Sequence, residues 1–184
     1  MKELTDKVLF LDLDGPLFPD PVIKKQAGSR FEDDFLQWFS DKHLKYPIPL
    51  DYIYMCENCV DHVNLLAREY DFKTVISSSW YEFFYDRSAF DTLFSINGLK
   101  VNFHEDWHTP RKMRSNRLQE IHWWLQDHPG CDWIAIDDMF SGSCLTDHYT
   151  LTKMEMEPER VIIVDTEIGF THDHVKHVRK KIWK

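Results

Sequence analysis

The feature that most limits what this 184-residue chain can become is a series of short, apolar, β-branched-rich runs: Val8 to Leu11, Thr74 to Ile76, Leu99 to Phe103, Trp133 to Ile136 and Val161 to Val164. Runs of this length read as buried strands. Between them lie segments whose apolar residues recur at helical spacing: Val60, Val63, Ala67 and Tyr70; then Leu118, Ile121 and Leu125; then Val175, Val178 and Ile182. Strands alternating with helices need right-handed crossovers, which build a parallel sheet covered on both faces. The expected fold is α/β, doubly wound into three Rossmann-like layers, with about five parallel strands in one domain spanning residues 1–184.

One stretch breaks the rhythm. From about 19 to 50 the chain inserts a capping-box pattern, Ser29-Arg30-Phe31-Glu32, and a short helical pattern with Phe35, Trp38 and Phe39. A small cap-like insertion after the first strand is expected there, over that strand's end. No stretch approaches the roughly 20 apolar residues of a membrane span, and a cytoplasmic protein without a membrane role or an obligate protein partner is expected. Four cysteines are too sparse for a disulfide scaffold. The 31 acidic residues against 22 basic ones leave a net charge of -9, which disfavours a long nucleic-acid footprint. A local basic group, Arg111, Lys112, Arg114 and Arg117, is the exception.

In a parallel α/β sheet, ligands bind beyond the carboxyl ends of the strands. Polar residues cluster at those ends: Asp12 and Asp14 after the first strand, Ser77, Ser78 and Ser79 with Trp80 after the second, and Asp137-Asp138 after the fourth. Four carboxylates on one rim repel unless a cation sits among them, and oxygen-rich sites of this kind suit Mg²⁺. Strand alternation places Asp12 and Asp14 on one side, so one can serve as nucleophile while the other handles protons. A carboxylate attacking a phosphate also needs a cationic side chain, for which the Arg111 to Arg117 group offers candidates.

The run Val8 to Leu17, an apolar strand followed by Asp12-Leu13-Asp14-Gly15, resembles the first motif of haloacid dehalogenase-like (HAD) phosphohydrolases. Ile76 to Trp80 resembles their second motif and Ile136-Asp137-Asp138 their fourth, in the family's order. Arg117 to Leu125 with His128-Pro129, and Val164 to Thr171, are closest to the small HAD domains of bacterial and phage "Swiss Army Knife" RNA repair systems. The surroundings of the Asp pair are also similar to the phosphatase half of phage polynucleotide kinase-phosphatases. The resemblance implies a HAD core and a phosphatase forming an aspartyl-phosphate. Asp12 would be the nucleophile and a Mg²⁺ ligand, and Asp14 the general acid and then base, touching the metal through its carbonyl. Ser78, or Ser77 in its place, would bind phosphoryl oxygens beside Ser79. Arg117, or Lys112 or Arg114, would fill the cationic third motif. Asp138 would bind the metal directly and Asp137 through water.

The expected substrate is a phosphate on a nucleic-acid end or a nucleotide, with a small-metabolite phosphatase and an inactive phosphate-binding module as the alternatives. Trp80, Tyr81, Phe83, Phe84, Tyr85 and Trp107 lie near strand ends, where they can stack on a base or pack in the core. An EF-hand is excluded because its fifth and twelfth loop positions would be Pro16 and Ile23. Cys56-Glu57-Asn58-Cys59 reads as helix packing. The histidine clusters 104–108 and 172–177 read as surface groups, with a substrate-facing role open for His104 or His108. The basic residues of 176–184 read as a solvated helix face. Neither a Walker loop nor a nucleophile elbow is present.

Overall fold

The computed structural model describes residues 6–19, 33–45, 53–84, 86–112, 115–138 and 156–183. Five strands pair in parallel: β1 (Lys7–Leu11), β2 (Phe72–Ile76), β3 (Asn102–His108), β4 (Asp132–Asp137) and β5 (Val161–Ile163). Their spatial order is β3-β2-β1-β4-β5. The helices among the described residues are α1 (Asp33–His43), α2 (Glu57–Glu69), α3 (Arg87–Ile96), α4 (Arg117–Asp127) and α5 (His172–His177). The chain is thus α/β with a Rossmann-like three-layer core, as the alternation of runs predicts.

The two parities of each central strand feed two cores. Leu9, Leu11, Ile134 and Ile136 face a core completed by α2, α3 and α5 through Val63, Leu66, Phe90, Leu93 and Val175. Val8, Phe10, Trp133 and Ala135 face the other core, completed by Leu118, Ile121 and Trp124 of α4. Each such buried aliphatic or aromatic side chain contributes about 1.5–3 kcal/mol over leaving it in water. Winding β1 to β2 to β3 in one direction and then returning with α4 to β4 puts the switch in strand order between β1 and β4, where an α/β sheet opens a crevice.

Two elements differ from the sequence expectation. The third strand lies at 102–108 rather than 99–103, because it is the sheet edge: its Asn-Phe-His-Glu-Asp-Trp-His run is only half-buried and carries no apolar run. Helix α3 is additional to the helices expected from sequence, with Ala89, Phe90, Leu93 and Phe94 buried at helical spacing behind an Asp86 cap. The short helix expected around Phe35, Trp38 and Phe39 is α1, in which Phe39 is buried and Trp38 is 44% exposed. Just past α1, the Lys45 amide donates to the Phe83 carbonyl at 2.7 Å, so this part of the insertion docks on the segment after β2. The capping box at 29–32 lies outside the described residues.

Candidate active site

Register brings the site together. Leu11 lies opposite both Ile76 and Ile136, so the next residue of each strand, Asp12, Ser77 and Asp137, falls in one row at the carboxyl edge. The Asp12 amide donates to the Ile136 carbonyl at 3.0 Å, and the Ser77 amide to the Leu11 carbonyl at 3.0 Å. Asp12, Asp137 and Asp138 are all buried, and one carboxylate oxygen from each lies within 4.8 Å of the others. This donor set fits a hard divalent cation such as Mg²⁺: the oxygens converge, and three buried carboxylates outnumber the one guanidinium, Arg117, that reaches them. Burial and the neighbouring Asp137 push the Asp12 carboxyl well above the ordinary carboxylate range, against the opposing pull of Arg117 and a hydrogen bond from Ser78.

Asp14 does not continue the strand. The chain turns after Leu13, with Gly15 at φ 74°, so the alternation expected from sequence does not operate here. Asp14 still acts electrostatically on Asp12, and its Oδ2 accepts the indole N–H of Trp80 at 2.9 Å. Gly15 is required twice over: its φ favours glycine, and a Cβ there would meet Cγ of Asp138 at 2.4 Å. The glycine of the first motif therefore makes room for the carboxylate of the fourth. Asp138 is held from the other side, where Thr166 Oγ1 donates to its Oδ2 at 3.0 Å. The loop carrying Thr166 closes on the turn through Phe170, whose amide donates to the Pro16 carbonyl at 3.1 Å.

Of the candidate cations, Arg117 enters the site. It opens α4 behind an Asn116–Gln119 capping box, and its Nε lies 3.4 Å from Asp137 Oδ2. Its Nη1 donates to Glu120 Oε2 at 3.1 Å, and Glu120, itself buried, accepts Ser115 Oγ at 2.6 Å. Lys112 lies over the Trp123 ring, 4.1 Å from its centroid, and Arg111 pairs with Glu82 at 3.1 Å. Arg114 is outside the described residues. Ser78 is buried against Asp12, Ser77 is buried beside it with no hydrogen-bond partner for its hydroxyl among the described residues, and Ser79 opens a half-buried turn.

The remaining candidates divide. Trp80 and Phe84 are core residues, Trp80 stacking on Phe18 at 4.9 Å, and offer no open face to a base. Tyr81 stacks on His108 at 4.6 Å, while Phe83 and Trp107 are half-buried. Tyr85 is outside the described residues. His104 and His108 lie within β3 rather than after it. Cys59 is packed in the core as expected, and Cys56 caps α2 with its thiol pulled down to about 6 by a hydrogen bond from Cys59. Arg179 and Lys176 of the basic tail pair with Glu69 and Asp173. Sequence reasoning missed three supporting residues: Glu120 behind Arg117, Thr166 behind Asp138, and Trp80 as the partner of Asp14. All three sit inside the recognised motifs, which is the available signal.

A family model for the HAD domain in Swiss Army Knife RNA repair proteins matches residues 8–175. Neither the curated proteins nor the solved structures yield a match.

Proposed function

The chain belongs to the family of HAD domains in Swiss Army Knife RNA repair proteins, and on that premise we propose that it is a Mg²⁺-dependent phosphomonoesterase acting on a phosphate at a nucleic-acid end or on a nucleotide. The observation that carries this reading is the convergence of Asp12, Asp137 and Asp138 beyond the β1 and β4 ends, with Asp14 and Arg117 beside them.

Each residue has a task that follows from its surroundings. Leu13 N–H holds Asp12 Oδ1 at 2.7 Å, which fixes the carboxylate for attack on phosphorus. The P–O bond to the leaving group breaks as the bond to Asp12 forms, and Asp14, oriented by Trp80, gives its proton to the departing oxygen. Asp14 then takes a proton from water, the water oxygen attacks phosphorus, and Asp12 leaves, so inorganic phosphate is released and both carboxyl groups return to their starting states. Arg117, braced by Glu120, offsets charge on the phosphoryl oxygens, and Ser78 donates to them in turn. Asp12, Asp137 and Asp138 would hold Mg²⁺, which would supply the charge neutralisation that lets two anions approach. The docked insertion that includes α1 would serve as a small cap beside this rim.

The test is a panel of esters, with 3′- and 5′-phosphorylated oligonucleotides, nucleotides and sugar phosphates, assayed with Mg²⁺ and after chelation. Activity on phosphorylated ends that is lost on chelation and in Asp12→Asn is expected. Turnover that survives Asp12→Asn overturns the mechanism, and preference for sugar phosphates overturns the substrate class.

A further inference from the structure

Outside the carboxylate rim, one other group of metal-ligating side chains converges among the described residues. His104, Asp106 and His128 each bring a ligand atom within 4.8 Å of the other two. We propose that they form a second cation site, which takes a borderline transition ion such as Zn²⁺ and ties α4 to the edge of the sheet. His104 and Asp106 lie in the irregular part of β3, where the pairing with β2 shifts register between Phe103 and His108, and the chain folds back so that the two side chains adjoin. His128 is the C-terminal cap of α4 and reaches them from the helix.

The hydrogen bonding at His128 points to a cation. Its Nδ1 lies 2.8 Å from the Trp124 carbonyl, which can only accept, so the ring proton belongs on Nδ1. Nε2 lies 2.8 Å from Asp106 Oδ2, a carboxylate oxygen that can only accept. That approach needs positive charge at Nε2: a proton supplies it in an imidazolium–carboxylate pair, and an ion held by both atoms supplies it once they part by a few tenths of an ångström. A backbone carbonyl on the far nitrogen is also the outer-shell arrangement that orients a metal-binding imidazole. Asp106 is itself placed by Trp124, whose indole N–H donates to its carbonyl at 3.0 Å. His104 stands with its ring centroid 5.0 Å from that of His128. Its Nδ1 accepts the Asp106 amide at 3.0 Å, and because β3 is the edge strand, water can take that amide when Nδ1 turns to the ion.

Two imidazoles and one carboxylate are the ligand set of a tetrahedral zinc site with one position left to water, and a poor match for Mg²⁺, which prefers six oxygens. A cavity of about 350 Å³ opens at Asp106 and His128 and admits that water. The ion would fasten the far end of the helix whose first residue is Arg117. This site shares no residue with the phosphatase reading and does not depend on it.

The experiment is Zn²⁺ binding to the full chain under saturating Mg²⁺, read by metal analysis after dialysis and by the d–d absorption of Co²⁺ substituted for Zn²⁺. One ion per chain is expected, retained in Asp12→Asn, with affinity falling at least about tenfold in His128→Gln and in His104→Ala. In the wild-type chain, Zn²⁺ should protect His104 and His128 from acylation by diethyl pyrocarbonate while exposed His172 and His177 still react. The last readout holds even where a variant folds poorly. Absence of stoichiometric binding, binding lost in Asp12→Asn, or acylation of His104 and His128 unchanged by Zn²⁺ overturns the proposal and leaves an imidazolium–carboxylate pair in its place.

Discussion

Asp12 sits where its charge is least welcome. Its carboxyl titrates above the ordinary 3.8 because burial and Asp137 oppose ionisation. For an acid raised in the folded state, the folded chain is penalised once pH exceeds 3.8, and the full penalty stands above the folded value. At neutral pH without metal, Asp12→Asn is therefore expected to raise Tm while abolishing turnover, and Mg²⁺ should raise Tm of the wild type more than that of the variant. Thermal melts with and without Mg²⁺ check both signs, and a lower Tm for the metal-free variant would contradict the electrostatic account. Gly15 gives a second expectation at this scale. A Cβ at 2.4 Å from Asp138 Cγ, on a backbone with φ 74°, has no room to relax toward solvent. Gly15→Ala should cost on the order of 1–3 kcal/mol from the strained backbone alone and displace Asp138, so activity should fall even at temperatures where circular dichroism shows the variant folded.

At the scale of elements, α4 does two jobs that its sequence states unequally. Its burying face is readable from the periodicity of Leu118, Ile121 and Leu125, although docking buries Trp124 more fully than Leu125, and the Asn116–Gln119 box that starts it is a finding of the structure. That Glu120 would be a buried acid is not readable, because an acid in a first turn is ordinarily a solvated group favoured by the helix dipole. Only docking turns it inward, where it accepts from Ser115 and Arg117. Glu120→Gln keeps the shape and removes the charge that holds Arg117. The expected result is a loss of about tenfold or more in kcat/KM, 1.4 kcal/mol or more of transition-state stabilisation. Glu120→Ala should lose more, and Arg117→Lys should not restore either, since a lysine lacks the planar fork. Steady-state kinetics on the best ester of the panel decide this. The displaced β3 and the overlooked α3 belong to the same scale. An edge strand with one open side carries polar residues that periodicity reads as loop, and α3 begins only a few residues after an aromatic-rich turn that blurs its pattern.

For the whole molecule, the net charge of -9 resolves into local arrangements. Among the described residues of the basic group at 111–117, Arg111 goes to Glu82, Lys112 to Trp123, and Arg117 to the site. A surface that spends its cations this way suits the grip of one terminal phosphate better than a long nucleic-acid track. Global pH response follows from one buried histidine, His43, and one half-buried histidine, His174. Burial lowers His43 and His174 below the ordinary 6.5. Their contribution to stability is therefore present above 6.5 and is lost as pH falls through the folded values. In the Asp12→Asn background, which removes the opposing acid, Tm should drop between about pH 6.5 and 5, and His43→Leu should make that drop shallower. A flat profile would show that folding lowers neither histidine.

The sequence alone determined the layered α/β plan, four of the five strands to within a few residues, and the acidic and hydroxyl residues at their carboxyl ends. These are local properties: apolar runs declare strands, and parallel register then carries the residue after each run to the same edge. The tertiary structure alone decided that Arg117 rather than Lys112 turns to the carboxylates, that Gly15 clears space for Asp138, that Trp80 is spoken for by Asp14 and Phe18, and that His104, Asp106 and His128 meet. Each of these depends on how a helix or loop is rotated as it docks. That rotation is set by the fit of α4 and the 165–170 loop against the sheet, a property of packed surfaces that no window of neighbouring residues contains.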